Sequence, residues 1–192
     1  MLQRSALLLV AILCYSGRGI ETPEPKTYDV PEAYSVYAAV LGAEHPGNDL
    51  VIADTTVPFN QCTDPQPDDK VNAAIKSYRT ANQQSWRLQG LKPPYKLISQ
   101  QEINKLRQRD PKGGFAWRYS GGIEVAHVSA VGFSPDGTIA FMEMDLQCGG
   151  LCGSGGPHIL KKQKGKWSKY EPPFLKNADG SLSSAVYCSW NY

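Results

Sequence analysis

The densest chemistry in the sequence is the run Cys148-Gly149-Gly150-Leu151-Cys152-Gly153-Ser154-Gly155-Gly156, with Met142 and Met144 just before it and His158 just after. Two thiols separated by three residues can be oxidised into a staple, act as a redox couple or hold a soft metal. Methionine and histidine extend the soft set towards copper(I). Glycine reaches backbone angles that other residues cannot, so five glycines in nine positions predict a shaped loop. Residue types alone do not choose among staple, redox centre and metal site.

Other chemistries fit less well. Gly153-Ser154-Gly155-Gly156-Pro157 has the outline of the nucleophile loop of chymotrypsin-like serine proteases, with His127 as the base. The acidic residue that should precede the serine is missing, and 192 residues are too few for two barrels. A phosphate-cradling loop would end in Gly-Lys-Ser/Thr and open a helix, whereas this run leads into Pro157 and a strand. Copper chaperones of thioredoxin type place their C-x3-C after the first strand of a parallel βαβ unit; here the pair joins antiparallel strands. Paired methionines in an apolar strand ordinarily fill a core. His45 and His127 have no companions at ligand spacing, and Glu143 and Asp145 alternate with apolar residues as in a half-exposed strand. No catalytic, metal or cofactor set is assigned.

The elements that must position this run begin after an N-terminal leader. Arg4 precedes eight apolar residues, 6–13, and then small ones, the outline of a secretory signal peptide over residues 1–19. Eight residues cannot cross a hydrocarbon layer of about 30 Å, so no membrane insertion is expected after cleavage. Bulky Ala11-Ile12-Leu13 before Cys14 argues against a lipid anchor. Arg4 and Arg18 lie in or beside the leader, so the formal charge of +2 falls to near neutral in the mature chain. Nothing in that balance attracts nucleic acid. Lys161, Lys162, Lys164, Lys166 and Lys169 cluster around one turn, where lysines keep a strand edge soluble.

Residues 20–30 read as an extended, proline-rich linker and 31–192 as a single domain. Helices are expected over 31–43, with Tyr34, Tyr37, Ala38 and Leu41 inward, and over 69–86, capped by Asp68, with Val71, Ala74, Ile75, Tyr78 and Ala81 inward. Residues 50–57 read as a buried strand and 95–98 as a short one. Ser99 and Glu102 have capping-box spacing, with Ile98 and Ile103 as the staple of a helix reaching about residue 109. Beyond Trp117 the period becomes two. Ile123, Val125, Val131 and Phe133 share a face, Ser134-Pro135-Asp136-Gly137 turns, 138–146 returns, and a second hairpin closes at Lys164-Gly165. Asp179-Gly180 marks a further turn in the tail. The fold class is α+β: N-terminal helices with a strand or two, then a four-stranded antiparallel meander.

Several stretches together resemble an uncharacterised family of exported bacterial proteins: Tyr34-Ser35 to Val40, Asp49-Leu-Val-Ile-Ala-Asp-Thr-Thr56, Tyr95-Lys-Leu-Ile-Ser99 with Glu102, Val128-Ser-Ala-Val-Gly-Phe133, Cys148-Gly-Gly-Leu-Cys-Gly153 and Gly165-Lys-Trp167. The loop 113–122 departs from the family pattern. The resemblance implies a secreted or periplasmic location and an architecture, and carries over no catalytic residue.

Four cysteines remain once Cys14 leaves with the leader, an even number that in an exported chain predicts disulfides. Of the three connectivities, Cys148 with Cys152 and Cys62 with Cys188 is favoured, because Gly149 and Gly150 let the chain reverse tightly and the second bond ties the tail to the body. The functional expectation is an exported domain with a non-catalytic binding or structural role. The alternative is a thiol-redox or copper-binding protein using Cys148 and Cys152, or a hydrolase.

Overall fold

A computed structural model of the chain describes residues 24–44, 50–59, 66–91, 95–108, 124–149 and 152–171, and the short strands beyond. The leader, Cys62, Cys188, the loop 113–122 and Asp179-Gly180 lie outside the described residues. In chain order the elements are β1 (Lys26–Thr27), α1 (Pro31–Glu44), β2 (Leu50–Ala53), α2 (Asp69–Ala81), β3 (Trp86–Arg87), β4 (Lys96–Ile98), α3 (Gln100–Gln108), β5 (Glu124–Val128), β6 (Gly132–Phe133), β7 (Ile139–Gly149), β8 (Cys152–Gln163) and β9 (Lys166–Lys169). Three two-residue strands follow, β10 (Leu175–Lys176), β11 (Leu182–Ser183) and β12 (Trp190–Asn191).

The protein is α+β, but its sheet is mixed. Strands run in the order β12-β8-β7-β5-β2-β4, with β6 added to β7 and β9 to β8. The antiparallel strands expected as an isolated meander are one half of this sheet; β2 lies parallel between β5 and β4 and joins the N-terminal half to it. The segment expected as one strand from Ile123 to Phe133 is two, β5 and β6, both pairing with β7. The corner between them puts Val125 and Val131 in different apolar clusters rather than on one face.

The glycine run is a second correction. Its described residues are strand: β7 continues to Gly149 and β8 begins at Cys152, with Gly153, Gly155 and Gly156 paired in the ladder, while Gly150 and Leu151 lie outside the described residues. Glycine weakens an isolated strand, yet here β8 is held by β7 on one side and β9 and β12 on the other. Lys164 and Gly165 close the next hairpin with φ of 49° and 80°, as a two-residue turn twisted to match its strands requires.

Helix starts follow the capping logic. Asp68 accepts from the backbone N–H of Lys70 at 2.8 Å and of Val71 at 3.3 Å. Ser99 N–H donates to Glu102 Oε2 at 2.9 Å while Glu102 N–H donates to Ser99 Oγ at 3.2 Å, a reciprocal box. Helix α2 stops at Ala81, short of Trp86, because Asn82 caps it and ties it across to Ala130. In α1 the buried stripe is Ala33, Val36, Tyr37, Val40 and Leu41; Ala38 is exposed.

Helix α1 covers one sheet face, over Ile52, Ala126, Val128, Ala140, Met142, Met144 and Leu160. The other face carries α2 over Ile139, Phe141 and Ile159, and α3, through Ile103, over Val51, Ala53, Ile98 and Val125. In the stretch 20–30, Lys26 and Thr27 pair in parallel with Trp86 and Arg87, and Tyr28 is buried. Among the described residues no helix is long and apolar enough to cross a membrane.

Candidate functional site

Between the α2 cluster and the α3 cluster, the sheet carries a strip of polar side chains that are buried. Alternation along β5 puts Val125, His127 and Ser129 on this face, and register sets His127 opposite Asp145 on β7. Ser129 N–H donates to Glu143 O at 2.9 Å, which continues the pairing one step further. Glu143 and Ser129 are 0% exposed and His127 and Asp145 5%. Glu143 and Asp145, expected on a half-exposed strand, are therefore inside the protein.

Burial on this scale is tolerable only with partners. His127 Nδ1 lies 2.8 Å from Asp145 Oδ1. A carboxylate accepts, so Nδ1 is the donor in this pair and Nε2 is the ring nitrogen left over. Among the described residues Nε2 has no hydrogen-bond partner. The second Asp145 oxygen accepts from Gln147 Nε2 at 3.4 Å. Further along, the Tyr78 hydroxyl, brought in by α2, meets both Glu143 Oε2 and the carbonyl of Phe59. Burial first, and the Glu143 carboxyl second, push that hydroxyl far above its usual range. Ser129 Oγ accepts from Glu143 N–H at 2.9 Å and donates to Ala130 O at 3.0 Å.

Beside this strip, β8 contributes Gly153 opposite Gln147 and Gly155 opposite Asp145. Two glycines on the face shared with His127 and Asp145 put no side chain there, which leaves a flat backbone floor next to the pair. Trp190 of β12 is in register with Gly155 on the far side.

The residues singled out by their chemistry are distributed differently. Ser154 is opposite Leu146 and belongs to the face under α1, so it is on the other side of the sheet from His127. A protease-like serine and base are not brought together. Met142 and Met144 are core residues beneath α1, 0% and 2% exposed. His158 is in register with Met142, but Cys148 is six residues further along β7, roughly 20 Å at strand rise. The soft set is not assembled, and no group of three metal-ligating His, Cys, Asp or Glu side chains occurs among the described residues. The lysine cluster is engaged locally: Lys162 Nζ is 2.8 Å from Glu32, Lys169 is 3.7 Å from Glu171, and Lys161 lies over the Tyr170 ring.

Set against protein-family models, curated proteins and solved structures, the chain matches none.

Proposed function

We propose that this chain is an exported binding domain that holds a small polar ligand against the glycine floor of β8, with His127 Nε2 as the recognising atom. The observation that carries the reading is an imidazole fixed by a buried carboxylate through one nitrogen, with its other nitrogen unpartnered among the described residues, beside two side-chain-free positions. A ring held this way costs little to order when a ligand arrives. Binding is favoured over hydrolysis because Ser154 is on the opposite face and Ser129 Oγ is already bonded to backbone on both sides. The signal-like leader and the resemblance to exported bacterial proteins support the location.

A thermal-shift screen of small polar compounds against the wild type and His127→Gln tests this. Compounds should raise the melting temperature of the wild type and lose most of that effect in the variant, which retains ring-sized polarity but not the held imidazole. Hits that stabilise both equally would remove His127 from the site. Turnover of an activated ester by the wild type, abolished in His127→Gln, would replace binding with catalysis.

A further inference from the structure

We propose that the ligand of this site is a neutral polyol of the sugar class, recognised by Asp145 as well as by His127. The inference rests on the binding reading above and names the chemistry of what is bound. Two cross-strand rows lie side by side on this face, His127 with Asp145 and Gly155, and Val125 with Gln147 and Gly153. Ser129 and Glu143, one row further in, are sealed, whereas Gln147, Gly153 and Gly155 are half-buried. The strip therefore meets solvent at the glycines.

Asp145 is the side chain between the imidazole and that opening. β7 lies between β5 and β8, about 4.8 Å from each, so His127 and Gly155 flank Asp145 on opposite sides. Its Oδ1 is taken by His127 at 2.8 Å, while Oδ2 has the contact from Gln147 at 3.4 Å, longer than an ordinary N–H···O bond. An ionised carboxyl has about four acceptor positions, and these two contacts are its hydrogen bonds among the described residues. A buried carboxylate oxygen with capacity to spare, beside a buried ring nitrogen without a partner, is a costly arrangement that a ligand's polar groups relieve.

The two atoms select by what each can accept or give. An anionic group would face the Asp145 carboxylate across a short, poorly solvated gap, where like charges repel. An ammonium group suits Asp145 but can only donate, so it suits Nε2 only when that nitrogen is bare. A hydroxyl both donates and accepts, and satisfies Oδ2 and Nε2 together whichever way the ring is protonated. Two such groups have to be presented at once across neighbouring strands, which a polyol does and a simple alcohol does not. Gly153 and Gly155 let the body of the ligand lie against the backbone.

Isothermal titration of the whole mature chain with a panel of neutral hexoses and their disaccharides, and with glucosamine and glucuronate as charged counterparts, tests the class. At least one neutral sugar should bind, and glucuronate at least tenfold more weakly. His127→Gln and Asp145→Asn should each weaken the neutral sugar on the order of tenfold, as the loss of a charge-assisted hydrogen bond does. Asp145→Asn, which puts an amide where the open acceptor was, should also narrow the gap to glucuronate. Gly155→Ala, which puts a methyl group on the floor and leaves the pair intact, should weaken the sugar as well and replaces Asp145→Asn if that variant does not fold. Preference for glucosamine or glucuronate, lost in His127→Gln, would overturn the polyol class and leave the held imidazole as a binding group. Sugar binding unchanged in His127→Gln would overturn both readings, and no binding by any of the panel would overturn this one alone.

Discussion

The two faces of the sheet are built from the same strands and buried to the same degree, yet they differ in kind. Under α1, β5 and β7 present Ala126, Val128, Ala140, Met142 and Met144; on the opposite face the intervening positions include His127, Ser129, Glu143 and Asp145. Met142 and Glu143 are adjacent and both 0% exposed. The first face is an ordinary apolar layer, in which area removed from water stabilises the fold. The second interrupts its own apolar clusters with groups that contribute at best the small net worth of a satisfied hydrogen bond, and each would cost about 1–3 kcal/mol if left unpaired. Departures of this kind from an apolar interior are where functional sites are expected.

The contrast can be broken most severely at Gly132. A Cβ there would be 2.2 Å from both Ala74 O and Tyr78 N, backbone atoms of α2 that cannot swing aside. Gly132→Ala should cost more than the ~1–3 kcal/mol usual for overpacking and lower the melting temperature by about 10 °C or more. On the α1 face Met142→Leu, which conserves volume, should cost under about 1.5 kcal/mol. Denaturant unfolding of both variants gives the comparison. A Gly132→Ala protein as stable as the wild type would mean that α2 is not seated on β6, and would undo the placement of Tyr78 over the strip.

Much of the local structure was legible. The capping box at Ser99 and Glu102, the Asp68 cap, the inner face of α2 and the turn at Ser134 are all short-range arrangements whose partners lie within a few residues, and all are present. The mixed sheet was not legible, because a parallel pairing of β2 with β5 joins residues more than seventy positions apart and leaves no periodic trace in either strand. The strip was hidden by its own regularity. Polar residues at every second position read as a face turned to water, and only the positions of α2 and α3, set by tertiary packing, reveal that the face is covered. One clue was available: an apolar stretch containing His127 and a strand containing Asp145 are a natural pair once the two strands are taken to be neighbours. The glycines of β8 were misread for a related reason, since glycine's preference for loops is a local tendency that flanking strands overrule.

A finer test of the contrast uses two buried tyrosines, one bonded to each kind of environment. Tyr37, on the buried side of α1, donates to the carbonyl of Ser129 at 2.7 Å, and burial holds its hydroxyl well above the usual range. Tyr78 meets two acceptors, Phe59 O and Glu143 Oε2. Tyr78→Phe removes the one O–H that two acceptors share, one of them a buried carboxylate, and should fall near the top of the ~1–3 kcal/mol range, and Tyr37→Phe, which removes a bond to one backbone carbonyl, near the bottom. Equal losses would show that the polar strip is no more dependent on its partners than the apolar layer. Both tyrosines also bind their protons more tightly folded than unfolded, as does Tyr28, pushed up to about 12 by burial. Their contribution is complete below pH 10 and declines as pH rises above it, so the wild type should lose stability between pH 10 and 12, and each phenylalanine variant less steeply.

The smallest expected effect lies at the rim of the α1 layer, where a charged group rather than a buried one does the fastening. Glu32, in the first turn of α1, accepts from Trp167 Nε1 on β9 and meets Lys162 Nζ at 2.8 Å on β8, joining the helix to the hairpin. The bonds from Lys162 and then Trp167 lower its pKa below the ordinary 4.5. The folded state therefore prefers the ionised carboxylate. Its contribution is complete above pH 4.5 and disappears as pH falls through the lower folded value. The Glu32 side chain is 42% exposed, so solvent and salt screen the pair and its worth is at most about 1 kcal/mol. Glu32→Gln should melt a few degrees below the wild type at pH 6 in low salt, converge with it near pH 3, and lose much of the difference at pH 6 in 1 M salt. A gap that persists at pH 3 would assign the effect to the neutral hydrogen bond from Trp167, and the rim would then be held in the same way as the strip beneath α2.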